Sequence, residues 1–112
     1  MLEMDSRAVV VVDAKGAIRY WNPGAQEMFG HRSEDVVGQS VEILIPEFFR
    51  EGHWAGFDAA MERGAGKLGG EPLVVPAQAA DGTIFPIETV LRLLCDSEGA
   101  AVGAVSVMKR QE

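Results

Sequence analysis

The run Ala8-Val9-Val10-Val11-Val12 constrains this chain more than any other feature. Its β-branched side chains suit a pleated strand better than a helix, and it is far shorter than the roughly 18 apolar residues of a membrane-spanning segment. Asp13-Ala14-Lys15-Gly16 follows with turn chemistry, and Ala17-Ile18-Arg19-Tyr20-Trp21 resumes extended structure, so the chain opens with a hairpin. A fold that begins this way must build a sheet and find something to cover it.

Helical signals come next. Asn22 caps a helix whose first position is Pro23, where a missing N–H costs nothing, and Gly30 ends it in the left-handed conformation, with Met28 and Phe29 toward the core. Ser33 with Glu34, Asp35 and Val36 opens a short helix stopped by Gly38, and Ser40 with Glu42 opens another before Pro46. Between Glu47 and Arg63, Phe49, His53, Phe57, Ala60 and Met61 recur at helical spacing while Arg50, Glu51, Asp58 and Glu62 lie elsewhere, which predicts the longest helix.

Gly64, Gly66, Gly69 and Gly70 crowd one loop, after which Leu73-Val74-Val75 opens a strand that closes at the turn Asp81-Gly82. A long strand runs from Phe85 to Leu94, where Pro86 implies a sheet edge or a bulge. Asp96-Ser97-Glu98-Gly99 turns it into a last strand, Ala101 to Met108. The expectation is an α+β domain: a five-stranded antiparallel sheet with short helices and one longer helix on one face.

The 112 residues suit one domain, with a core over about 8–108. A net charge of -7 with scattered basic residues argues against nucleic acid. The single cysteine, Cys95, forms no internal disulfide, and two histidines with one cysteine cannot complete a four-ligand structural zinc site, so a reducing, cytoplasmic setting is expected. No basic-then-apolar leader and no spanning segment is present, so direct membrane insertion is not expected. Regular structure close to both ends suits a module of a larger protein.

This order resembles the PAS domain family, carried by Val12-Asp13, Gly16-Ala17-Ile18, Trp21-Asn22-Pro23, Ala25, Phe29-Gly30, Val37-Gly38, and Asp81-Gly82-Thr83 with Phe85-Pro86-Ile87-Glu88. The resemblance implies a non-catalytic sensory or interaction module of a signalling protein. Within the family, Ile45-Pro46-Glu47 followed by His53, then Asp81-Gly82-Thr83 and Phe85-Pro86, looks like the haem-binding domains of rhizobial oxygen-sensor histidine kinases. That resemblance places His53 at the axial iron ligand of haem b. It also places Leu68, Thr89 and Leu91 on the distal apolar wall and Lys67 near the propionates. Leu73 and Ala59 stand where those kinases carry the oxygen-contacting and propionate-binding arginines. Ser106-Val107-Met108-Lys109 stands where an aspartate and threonine usually follow the last strand.

The residues themselves support a pocket around His53. Phe49 and Phe57 sit one turn to either side, Met61 lies a further turn on, and Gly52 and Gly56 remove bulk beside it. Each glycine costs the helix ~1 kcal/mol relative to alanine, which calls for a reason: close approach of a planar ligand, or of a neighbouring strand or helix. His53 is accordingly read either as a haem ligand or as a packed or small-molecule-facing histidine. His31 lies in a loop without an apolar frame and reads as exposed, and Met61 and Met108 read as packing before they read as a sixth iron ligand.

Other chemistry finds less support. Flavin–thiol photochemistry needs a cysteine in the long-helix region, whereas Cys95 ends a strand; flavin held without a thiol, lined by Trp54 and the glycine-rich loop, stays open. The loop Gly64–Gly70 lacks a hydroxyl residue after Lys67 and the glycine spacing of a phosphate loop. Gly38-Gln39-Ser40 lacks the second glycine of a nucleophile elbow. The expected function is a sensory domain for gas or redox state through haem on His53, acting on an attached output domain. The alternative is a cofactor-free interaction or small-metabolite module, a homodimer with Val102, Val105 and Val107 as interface residues.

Overall fold

A computed structural model describes residues 7–63 and 72–111. The chain runs β1 (Ala8–Asp13), β2 (Ile18–Trp21), α1 (Pro23–Phe29), α2 (Ser33–Val36), a 3-10 turn (Val41–Leu44), α3 (Glu47–Arg63), β3 (Leu73–Gln78), β4 (Ile84–Cys95) and β5 (Ala101–Arg110). The strands form one antiparallel sheet in the order β2-β1-β5-β4-β3, so the expected α+β architecture is found. The first and last strands lie side by side, and this non-local pairing closes the fold.

Local chemistry explains the turns. In the first hairpin Asp13 Oδ1 accepts from the backbone N–H groups of Lys15 (2.9 Å) and Ala17 (3.0 Å), while Arg19 Nε donates to Oδ2 at 2.9 Å. Asn22 does two jobs: its Oδ1 accepts from Ala25 N at 2.8 Å, capping α1, and from Val9 N at 2.9 Å, fixing that cap to β1. Ser40 Oγ accepts from Glu42 N and opens the 3-10 turn. The helix α2 instead begins at Ser33 itself, and Arg32 at its cap position makes no side-chain capping bond.

Alternation sorts the sheet. Ala8, Val10 and Val12 of β1 are buried beneath the helices, as are Ala104 and Met108 of β5 and Ile87 and Thr89 of β4. Phe29 joins α1 to this layer, its ring stacked 6.0 Å from that of Phe85 and tilted against that of Trp21 at 5.8 Å. On the opposite face Val107 lies between Val9 and Val90 in register, and Val105 lies beside Val11. Val102, grouped with them from the sequence, falls instead at the irregularity where Cys95 pairs with Ala101.

Two sequence expectations are corrected. Pro86 lies in β4, an interior strand, and not at an edge. It is tolerated because it faces Pro76 of β3 in register and lies just beyond the last β4–β5 pair, Ile87 with Arg110, so no neighbour needs its missing N–H; its carbonyl accepts from Gln111 N at 3.0 Å. His31 is half-buried and not exposed, because Trp21 reaches it: the indole Nε1 donates to the His31 carbonyl at 2.9 Å, and the two rings meet edge to face.

Candidate functional site

The helix α3 crosses the sheet over a half-enclosed apolar cavity of about 300 Å³. Phe49, His53, Phe57, Ala60 and Met61 line it from the helix, the side predicted from helical spacing. Leu73 of β3 and Thr89 and Leu91 of β4 line it from the sheet, so these sequence-predicted residues come together. Lys67 and Leu68 lie outside the described residues. Leu73 stands at the cavity's margin, being 52% exposed.

Gly52 and Gly56 are part of the wall, and a Cβ built on either would meet nothing within 4 Å. Close approach of a strand or another helix is therefore not the reason for these glycines. Their missing side chains leave room along the helix beside His53, at the cost of helix propensity.

The His53 ring packs edge-on to Trp54 at 4.8 Å between centroids and lies nearly parallel to Phe57 at 6.2 Å. Burial lowers its pKa from the ordinary 6.5, while the charges of Glu42 and Asp58 act in the opposite direction. At neutral pH the imidazole is thus uncharged and keeps one nitrogen lone pair for a ligand. Its Nδ1 is buried without a hydrogen-bond partner, and the same holds for Thr89 Oγ1 across the cavity.

Trp54, considered from sequence as a pocket-lining residue, faces elsewhere. Its Nε1 donates to Glu42 Oε1 at 2.8 Å, and its six-membered ring covers Gly16 in the first hairpin. Arg50 lies 3.6 Å from Glu42 and donates to the Ile45 carbonyl at 2.8 Å, so the start of α3 is tied to the preceding 3-10 turn. Sequence reasoning missed the contributions of Val41, Leu44 and Ile45 from that turn and of Ser106 from β5. Period-2 alternation through β5 puts Ser106 between Ala104 and Met108 on the buried face and was the available signal for it.

For b-type haem the cavity offers a neutral imidazole, apolar walls and a helix side cleared by two glycines. Among the described residues no lysine or arginine lines it, and Ala59, at the expected position of a propionate-binding arginine, is exposed. Cys95 is exposed at the end of β4 and does not line the cavity, which separates it from adduct chemistry with a bound flavin. No group of three His, Cys, Asp or Glu side chains among the described residues could hold a metal ion.

The sequence is similar to those of several known proteins. An uncharacterized protein of Azorhizobium caulinodans is 36% identical over 89 residues, 79% of this chain and 12% of its own. The sensor protein FixL of Bradyrhizobium diazoefficiens is 30% identical over 71% of this chain and 16% of its own. The oxygen sensor protein DosP of Escherichia coli is 24% identical over 73% of this chain and 10% of its own. The chain thus spans less than a fifth of the length of these relatives.

The PAS domain of a Colwellia psychrerythraea protein superposes with a TM-score of 0.82 at 25% identity, over 95% of this chain and 86% of that one. The light-state blue-light photoreceptor aureochrome1 LOV superposes with a TM-score of 0.75 at 20% identity, over 94% of this chain and 81% of that one, and shares the fold. The family model of the PAS fold matches residues 5–110, and the chain belongs to that family.

Proposed function

We propose that this domain is the sensory input of a larger cytoplasmic signalling protein and that its cavity holds haem b through His53, reporting gas or redox state to an attached output domain. One observation carries the reading: an uncharged imidazole with a buried, unpartnered nitrogen sits in an apolar cavity whose helix side is cleared by Gly52 and Gly56. The relatives FixL and DosP, named as a sensor protein and an oxygen sensor, support it. Haem, when bound, supplies reversible gas binding and one-electron chemistry.

The chain's own residues do the rest. His53 would hold the iron through a ring nitrogen, with Phe49 and Phe57 flanking it on the helix and Leu73 and Leu91 adding apolar surface on the sheet side. Because the cavity is walled by α3 on one side and by β3, β4 and β5 on the other, occupancy favours one helix–sheet arrangement over another, and that bias is what an output domain reads. The domain regulates and does not itself catalyse.

A second reading has its own observation. No described cation lines the cavity to meet haem propionates, and about 300 Å³ lies at the small end of ligand pockets. Both facts favour a small uncharged metabolite, or an interaction domain without cofactor that pairs through Val105 and Val107 on the open sheet face.

An absorption spectrum of protein expressed with haem supplied separates the readings. A Soret band that shifts on reduction and with carbon monoxide, and is lost in His53→Ala, is the expected result. A spectrum without that band, or a band that survives His53→Ala, removes haem on His53.

A further inference from the structure

Among the described residues Thr89 is the one buried polar residue in the core, 8% exposed, and its hydroxyl has no hydrogen-bond partner. The strand register explains why none is at hand: Thr89 lies between Leu73 of β3 and Met108 of β5, both apolar. Along β4 its same-face neighbours are Ile87 and Leu91. A valine would fill the same space without an orphaned hydroxyl, and a buried hydroxyl left unpaired is destabilising. The side chain lines the cavity on the sheet wall, across from His53 on α3.

We infer that Thr89 is a selectivity-determining residue of the cavity, its hydroxyl donating a hydrogen bond to a small diatomic ligand that carries an acceptor atom and enters the cavity beside β4. The inference rests on the haem reading above. It gives the β4 wall of the cavity a hydrogen-bond donor where Leu73 takes the position of an arginine, beside the Ser106 hydroxyl that lines the cavity from β5. It also predicts discrimination: a ligand that accepts a hydrogen bond is retained at this wall, and one that does not is treated as it would be by an apolar surface.

The test uses haem-loaded protein with carbon monoxide as the probe, in the wild type, Thr89→Val and Thr89→Ser. Removing the hydroxyl with Thr89→Val is expected to raise the C–O stretching frequency and to speed carbon monoxide release by up to about tenfold, the range of one neutral hydrogen bond. Thr89→Ser keeps both near the wild-type values. Thermal unfolding of the ligand-free protein supplies an independent readout, in which Thr89→Val is expected to raise the midpoint by relieving the unpaired hydroxyl. Identical stretching bands and release rates in all three proteins overturn the inference, and so does a lowered midpoint for ligand-free Thr89→Val, which shows the hydroxyl bonded within the protein. The haem reading fails differently: no Soret band appears in any of the proteins, and the assignment of Thr89 to a haem-held ligand falls with it.

Discussion

Trp54 of α3 closes over Gly16 of the first hairpin so tightly that a Cβ on the glycine would lie 2.5 Å from the indole Cη2 and 2.7 Å from Cζ3. The same indole donates to Glu42 and packs edge-on against His53. One side chain therefore links the β1–β2 turn, the 3-10 turn and the cavity histidine.

Gly16→Ala tests that link. The residue has φ 85°, where a Cβ costs about 1–2 kcal/mol on backbone grounds alone, and the new methyl must also displace the indole. The expected outcome is a lower urea midpoint, by at least that backbone cost, together with weaker ligand binding at His53 because Trp54 no longer holds its ring in place. Unchanged ligand affinity in a folded Gly16→Ala protein would show that Trp54 and His53 are independent.

Much of this arrangement is legible in the sequence where it depends on local chemistry. Asp13, Asn22 and Gly30 announce the turn, cap and stop that they make, and the spacing of Phe49, His53, Phe57 and Met61 gives α3 and its buried side. What escapes is non-local. Nothing near Trp54 says that its ring will reach a glycine 38 positions away in sequence, and the interior place of Pro86 depends on Pro76 arriving opposite it from another strand. The unpaired hydroxyl of Thr89 is equally invisible, since only the register shows that Leu73 and Met108 are its neighbours.

Asp13 gives the fold a dependence on acid. Backbone hydrogen bonds, that from Ala17 first, together with Arg19, hold its carboxyl below the ordinary 3.8. With the folded pKa below the unfolded one, the unfolded chain binds the proton more readily, so this contribution to stability is present above about 3.8 and fades as pH falls through the depressed folded value. Asp13→Asn keeps an oxygen acceptor for the turn but removes the charge facing Arg19. The stability gap between wild type and Asp13→Asn, measured by denaturant unfolding, is expected to be constant near neutrality and to shrink in strong acid. A gap that widens in acid would contradict the sign.

Gly52 and Gly56 separate the stability of α3 from its use. Neither has a positive φ, and a Cβ at either position meets nothing within 4 Å, so alanine fits without strain. Replacing glycine by alanine inside a helix stabilises it by ~1 kcal/mol where nothing is hit, partly by reducing the freedom of the unfolded chain. Each single variant is thus expected to raise the unfolding midpoint of ligand-free protein, and the double variant to raise it further. Both methyl groups, however, enter the side of the cavity next to His53, so haem uptake measured by Soret titration is expected to weaken in the same proteins and most in the double variant. Opposite movement of the two measurements is the signature of glycines kept for a ligand. If stability rises and uptake is unaffected, the cleared wall has no role in binding, and the helix carries its two glycines for some purpose other than the cavity.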